Sequence, residues 1–290
     1  MTFLFAINPA SGGKDKSDWE TTIQTFFAHS PHTAELLRLT GDDDESLVQR
    51  RIDALKPDRV IAVGGDGTVK LVAERVLGTP TPMGILPAGS ANGMAHELAI
   101  PFAPEGALRV VVDGVTKPID AICIGESDMC LHLSDIGMNA QLIKYYQQNN
   151  WRGKLGYARG VLRVMARRRL LQVSINTGDV TLHRAAFMVV LANARVYGTG
   201  AVINPDGDLS DGIFEVVVLR RLSIWEILKM FWRYQPFDPS KVEIIPATSV
   251  FIETRKKAYF QVDGEYRGRV TEVRAQIRPG QIQMLVPAGR

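Results

Sequence analysis

The sequence predicts an α/β N-terminal domain built on a mostly parallel sheet, followed by a C-terminal antiparallel β-sandwich domain. Three observations carry this. Strand-like and helix-like patterns alternate over roughly the first hundred residues, which is the signature of βαβ units. Glycine-rich stretches follow three of those strand patterns. Beyond about residue 117 the helices thin out and short β-type runs succeed one another, as in an antiparallel sandwich.

The elements follow in chain order. Residues 3–7 form a compact apolar run, 14–29 have helical character, 34–39 read as a strand and 42–55 as a helix. A β-branched run at 59–63 ends in Gly64-Gly65; a helical pattern at 68–77 and a strand at 83–86 come next. In the second half, strand candidates lie at 119–124, 130–133, 171–176, 187–192, 214–219, 250–254, 259–262 and 270–277. Two helical inserts, 155–168 and 224–234, interrupt them. The domains are therefore placed at 1–118 and 119–290, with the last few residues free to return to the first domain.

Composition bounds the rest. The chain has 290 residues, 46% of them apolar and 22% charged, with a formal net charge of +3. Such a chain can bury a sizeable core. The charge balance alone argues neither for nor against nucleic acid; with no recognised nucleic-acid motif beside the basic residues, no such partner is expected. Cys123 and Cys130 show no metal-ligand or disulfide spacing and read as buried thiols. No apolar run approaches the roughly 18 residues that span a bilayer. The expectation is a cytoplasmic chain that meets lipid from the water side, peripheral at the inner face of a membrane. The oligomeric state stays open, a dimer included.

The glycine stretches are Asn8-Pro9-Ala10-Ser11-Gly12-Gly13, Gly64-Gly65-Asp66-Gly67-Thr68 and Pro87-Ala88-Gly89-Ser90-Ala91-Asn92. Glycine permits positive φ and close approach of backbone to a ligand. Backbone amides at a helix N-terminus cradle phosphate oxygens, and in parallel sheets ligands sit at the carboxyl ends of strands. Three loops at successive strand ends should converge on one sheet edge. Neither a Walker A ending nor a Gly-x-Gly-x-x-Gly fingerprint is present. An acid inside a phosphate cradle would repel its ligand unless a cation lay between, so Asp66 is expected to engage magnesium; the plainer reading is a helix cap.

These stretches resemble the nucleotide-binding motifs of the diacylglycerol kinase catalytic-domain family, which includes bacterial diacylglycerol kinases, sphingosine kinases and ceramide kinases. Gly-Gly-Asp-Gly-Thr is shared with NAD kinases, so the first domain resembles both. The second half resembles the lipid kinases alone, through Asn193-Ala194-Arg195-x-Tyr197-Gly198-x-Gly200, Pro205-x-x-x-Leu209-x-Asp211-Gly212 and Phe260-x-Val262-Asp263-Gly264-Glu265. The resemblance implies an ATP-dependent lipid kinase that transfers the γ-phosphoryl group to a lipid hydroxyl such as that of diacylglycerol. A kinase for a sphingoid base or another alcohol, or a catalytically weak nucleotide- or lipid-binding regulator, are the alternatives. ATP would be surrounded by Asn8, Pro9, Ser11, Gly12, Thr40, Gly64, Gly65, Asp66, Gly67, Thr68, Gly89, Ser90 and Asn92. Asp263 or Glu265 would act as general base, with Asp66 on magnesium. A second, structural Mg2+ or Ca2+ would be held by Asp208, Asp211 and the Ile213 carbonyl. Lys70 and Leu71 stand where the family has Asn and Glu, and Gly93 where it has Asp. Lys70 reads equally as a partner for phosphate or as a solvated helix residue.

Two segments bear on lipid. Residues 151–171 carry Arg152, Lys154, Arg159, Arg163, Arg167, Arg168 and Arg169 and no acid, the pattern of a basic amphipathic helix at an anionic membrane surface. Trp225, Phe231 and Trp232 in the second insert either line an acyl-chain pocket or pack against the sandwich.

Overall fold

The structure, a computed structural model, describes residues 1–11, 19–148, 170–178, 180–197, 200–221, 223–231 and 236–289. Gly12 and Gly13, Gly198, Trp232 and the basic segment with Arg159, Arg163, Arg167, Arg168 and Arg169 lie outside the described residues. The chain forms two compact units, 1–120 with 279–290, and 121–278.

In the first unit, strands β1 (Thr2–Ile7), β2 (Thr33–Arg38), β3 (Arg59–Gly64) and β4 (Met83–Pro87) are all parallel. Their spatial order is β2-β1-β3-β4. The chain leaves β1 for β2 on one side and later returns to β3 on the other, so β1 and β3 flank a topological switch point, where open α/β sheets bind ligands. Every residue of 3–7 and of 60–64 is buried, which is why these strands read as continuous apolar runs rather than alternating ones. Phe27 of helix α1 (Trp19–Phe27) meets Phe3 and Phe5 edge-on, at ring-centroid distances of 5.2 and 5.6 Å. Helices α2 (Asp44–Leu55), α3 (Asp66–Val76), α4 (Gly93–Glu97) and α5 (Pro104–Asp113) complete the connections. The sequence patterns missed α4 and α5. The first is one turn long; the second begins at a Pro that reads as a breaker but occupies the first helical turn, where Pro is tolerated.

The unit closes with the end of the chain. Met284 pairs in parallel with Met83, the Gly78 amide donates to the Gln281 carbonyl at 2.8 Å, and the Gly280 amide donates to Asp120 at 2.8 Å.

The second unit is antiparallel. Its strands are the ends of β5 (Val115–Ile124) and β14 (Glu265–Val286), together with β6 (Asp128–Cys130), β7 (Leu133–Gly137), β8 (Leu171–Asn176), β9 (Thr181–Ala186), β10 (Met188–Ala192), β11 (Phe214–Leu219), β12 (Val242–Ala247) and β13 (Ser249–Val262). The order is β12-β11-β10-β7-β13-β14, with β8 also pairing β13 and β9 at its edge. Strands β10 and β11 lie between two cores. Val189, Leu191, Val216 and Val218 face one; Met188, Val190, Val217 and Leu219 face the other. That is the period-2 alternation of a strand buried on both sides.

Helix α6 (Met138–Gln148) follows β7, and α7 (Ile224–Phe231) follows β11. Helix α7 packs through Met230 and turns Trp225, 71% exposed, outward. Buried Glu226 is matched by Lys229 at 3.2 Å and Lys241 at 3.6 Å. Trp225 therefore lines no buried acyl pocket.

Gly137 makes the corner from β7 into α6 with φ 120°, and a Cβ there would lie 2.5 Å from the Phe187 carbonyl oxygen. Gly125 has φ 61° but open space around it. A left-handed conformation alone costs an L-residue roughly 1–2 kcal/mol, and a clash with backbone adds roughly 1–3 kcal/mol. Gly137→Ala should therefore lower the melting temperature several-fold more than Gly125→Ala; equal shifts in calorimetry would refute this account of the corner.

Candidate active site

Loops at the strand ends of the first unit come together by direct contact. The Asn8 amide donates to the Val63 carbonyl at 3.0 Å, and its side-chain Nδ2 donates to Thr68 Oγ1 at 3.2 Å. The Ala88 amide donates to the Gly64 carbonyl at 2.9 Å. A Cβ on Gly65 would sit 3.2 Å from Gly89 Cα, and one on Gly89 would collide with Gly65. A Cβ on Gly64 would collide with the Thr68 side chain. The expected convergence of the three loops is thus present. The glycines achieve it differently from the expectation, however. None of Gly64, Gly65, Gly67 and Gly89 has positive φ; Gly65 and Gly89 are small so that their loops can press on one another, and Gly64 leaves room for the Thr68 side chain.

Positive φ in this region belongs to Asn92, at 51°. Its Oδ1 accepts from the Gly89 amide and its Nδ2 donates to the Gly89 carbonyl, both at 2.8 Å. With both ends of the amide used, Asn92 shapes its loop. Asn8 is likewise a builder: its Oδ1 accepts from the Ala10 amide at 2.9 Å, while its carbonyl accepts from Ser11 Oγ at 2.8 Å. Pro9 is exposed beside it. Thr40, exposed at the end of β2, is held by Asp44, which accepts from its amide at 2.8 Å.

Asp66 and Gly67 open the first turn of α3, and their amides have no acceptor among the described residues. Such orphan donors form the positive end of the helix. Asp66 Oδ1 accepts from the Met94 amide at 3.2 Å, tying α3 to α4; its Oδ2 has no partner among the described residues. Ser90 and Gly67 are exposed at the rim, whereas Thr68 is buried. Lys70 is not the solvated helix residue of one sequence reading: it is buried, with Nζ 4.0 Å from Glu74 on its own helix.

In the second unit, Asp263 and Gly264 are the two-residue turn of the β13–β14 hairpin. Their φ values are 49° and 84°, and Val262 pairs with Glu265, the pattern of a type I′ turn. Asp263 is more than a turn residue. Its carboxylate accepts from the amides of Leu131 at 3.0 Å, His132 at 2.9 Å and Leu133 at 3.3 Å, and from Cys130 Sγ at 3.2 Å, while its own amide donates to the Leu133 carbonyl at 3.0 Å. Gln261 Oε1 accepts from the Gly264 amide at 2.7 Å. Glu265 emerges from this fastened turn with a 47% exposed side chain, 2.9 Å from Arg267.

Sequence reasoning missed the network behind the turn. Gln261 Nε2 donates at 2.5 Å to the carboxylate of Asp135 on β7. Asp135 also accepts from Asn139 Nδ2 at 2.6 Å, the Ala140 amide at 2.8 Å and Tyr197 Oη at 3.4 Å. The signals were Tyr197 in the quoted Asn193-Ala194-Arg195-x-Tyr197 stretch and the unassigned position in Phe260-x-Val262, which is Gln261.

At the acidic turn, Asp208 Oδ1 accepts from the Ser210 amide and hydroxyl at 3.0 and 2.8 Å, and Asp211 Oδ1 from the Ile213 amide at 3.1 Å. Burial raises the carboxyl of Glu215 above its usual range; a hydrogen bond from Asn204 opposes this, and the charges of Asp211 and Asp206 raise it further. No three His, Cys, Asp or Glu side chains come together as a metal site among the described residues. The cation expected here would need the Ile213 carbonyl.

With this geometry in place, comparison with known proteins is decisive for kinship. Residues 2–124 match the diacylglycerol kinase catalytic domain, and residues 134–286 match the YegS C-terminal NAD kinase beta sandwich-like domain. The chain belongs to the diacylglycerol kinase catalytic-domain family. Among relatives of this family, it is 29% identical over 181 residues to a diacylglycerol kinase of Mycobacterium tuberculosis, covering 60% of this chain and 59% of that one. It is 27% identical over 279 residues to a diacylglycerol kinase of Bacillus subtilis, covering 90% and 88%. An uncharacterized Synechocystis protein is 27% identical over 243 residues, 79% of this chain and 54% of its own. The chain thus spans little more than half the length of some relatives. A Bacillus anthracis diacylglycerol kinase crystal structure superposes with a TM-score of 0.77 at 18% identity, over 99% of this chain and 97% of the other; at that identity it shows the shared fold. Among the described residues no helix is long and apolar enough to cross a membrane.

Burial pushes the Asp135 carboxyl from 3.8 up to about 6, against the hydrogen bonds from Asn139, Gln261, Ala140 and Tyr197. The folded state therefore holds this proton more tightly than the unfolded chain. The resulting stability is full below the unfolded value and is lost as pH rises through about 6. Between pH 5 and 7.5 the unfolding free energy of the wild type should fall by roughly 1–2 kcal/mol more than that of Asp135→Asn. Parallel pH profiles in denaturant titrations would show that the buried carboxyl does not titrate in this window.

Proposed function

We propose that the protein is an ATP-dependent lipid kinase that phosphorylates the hydroxyl of a lipid such as diacylglycerol. The observation that supports this most is the meeting of three loops at the N-terminus of α3, where the amides of Asp66 and Gly67 and the Oδ2 of Asp66 stand together without partners among the described residues. Amides of this kind suit phosphate oxygens, and the carboxylate oxygen among them would hold a magnesium ion, which would offset phosphate charge there. Bound ATP with magnesium would supply the phosphoryl group. Asn8, Ser11, Thr68 and Asn92 hold the loops in shape; Gly65, Gly67 and Gly89 keep the cradle open to the ligand.

The two carboxylates of Asp-Gly-Glu divide the remaining work. The lone pairs of Asp263 are occupied by three amides and a thiol, so its task is to hold the turn. Glu265 is exposed beyond it and is the residue we assign to accept the proton of the attacking hydroxyl. The structural cation is assigned to Asp208, Asp211 and the Ile213 carbonyl. All its donors are oxygens, as a hard cation requires, and the repulsion that the charges of Asp211 and Asp206 exert on Glu215 would be relieved by it.

Phosphate incorporation from ATP into diacylglycerol in mixed micelles, with a sphingoid base in a parallel arm, tests the reading. Glu265→Gln should lower kcat by about 10²–10⁴-fold without changing the melting temperature. Asp66→Asn should lower it by several kcal/mol of transition-state stabilisation. Turnover of the sphingoid base alone would move the assignment to the alternative substrate. No ATP-dependent turnover of any acceptor, with nucleotide still bound, would make the protein a regulator.

A further inference from the structure

Strand β13 loses its register with β14 between Glu253 and Ala258. A β-bulge of this kind re-aims side chains out of the ladder. Arg255, Lys256 and Lys257 occupy this irregularity; all three are exposed, and none has an acidic partner among the described residues.

A cavity of 310 Å³ opens beside them, within the second unit. Arg255, Lys256, Lys257 and Arg269 give it cationic lining, and Leu170, Leu171 and Phe187 apolar lining; among the described residues no Asp or Glu lines it. Arg269 is pinned, since its guanidinium donates to the Lys257 carbonyl at 2.6 Å and lies 5.2 Å over the Tyr259 ring. Lys144 lies 5.0 Å from the same ring, adding a fifth cation nearby.

Surface charges of one sign ordinarily alternate with the other, and a cleft lined by one sign focuses its field on a counter-ion. A small hydrated anion would satisfy the cations but leave the leucines and Phe187 facing water. An amphiphile with an anionic head and an alkyl tail satisfies both. The volume is at the lower end for ligand sites, suited to part of one chain rather than a whole two-chain lipid.

We propose that this bulge is a membrane contact that binds the headgroup of an anionic glycerophospholipid, one acyl chain entering the cavity while the other stays in the bilayer. It deepens the lipid-kinase reading by naming the surface on which the second unit rests, and it depends on that reading only for the presence of a membrane.

The test uses the full chain and vesicles of phosphatidylcholine with or without phosphatidylglycerol. The triple variant Arg255→Ala, Lys256→Ala, Lys257→Ala should sediment with the anionic vesicles on the order of a hundredfold less well than the wild type, because each basic residue near such a surface contributes about fivefold. Raising salt should erase most of the difference. Leu170→Gln, which removes apolar surface without adding charge, should weaken binding to the vesicles without altering binding to inorganic phosphate. Equal sedimentation of wild type and triple variant at low salt would overturn the proposal, as would displacement of the wild type by millimolar inorganic phosphate alone. The readout is binding, so a protein without kinase turnover that still shows the hundredfold loss supports the contact and sinks only the kinase reading.

Discussion

The contact between Gly65 and Gly89 governs the geometry of the first unit. Two backbones meet there with no room for a methyl group on either side. Because they touch, the loops after β3 and β4 form one surface, and Asp66 can reach across to the Met94 amide. The Asn8 hydrogen bond to Thr68 adds the loop after β1. Close packing of backbone on backbone is stiff, since no side-chain rotamer can absorb a shift. The site is thus set by the sheet beneath it: β1, β3 and β4 fix where the three loops start, and small residues let them finish together.

The second unit solves a similar problem by hydrogen bonding. A bare type I′ hairpin turn is a flexible tip at the edge of a sheet. Here the tip residue reaches inward, and the Asp263 carboxylate gathers the amides of 131–133. Gln261 fastens the next residue and passes the connection to buried Asp135. Each acceptor in the chain is filled, which is the condition under which a buried polar network specifies one arrangement. Glu265 inherits its direction from the network without being consumed by it.

Much of this was legible in the sequence, for reasons that are physical. The α/β order of the first domain showed because both faces of β1, β3 and β4 are buried, so those strands are nearly uniformly apolar. The loops showed because close backbone approach demands glycine. What glycine does there was misread, since the composition of a loop is the same whether its glycines supply positive φ or merely vacate space. Lys70 was illegible: burial of a lysine against Glu74 on the same helix depends on the partner that covers both. Helix α6 was missed because Met138 and Asn139 follow a strand without a break, the corner being made by Gly137. The Asp135 network joins the continuous β7–α6 corner to β13 and Tyr197, three separated stretches whose meeting no local pattern encodes.

The return of residues 279–290 to the first unit has a consequence for the order in which the protein is made. Synthesis proceeds from the N-terminus, and domains generally fold as they emerge. Here the strand that pairs with β4 is translated only after all of 121–278. Until then the nascent first unit presents β4, every residue of which is buried in the finished protein, as a bare apolar edge of the kind that templates pairing between chains. The second unit, contiguous in sequence, can finish first. Translation therefore completes this protein from the inside of the sequence outward, and the N-terminal unit waits longest for its last strand.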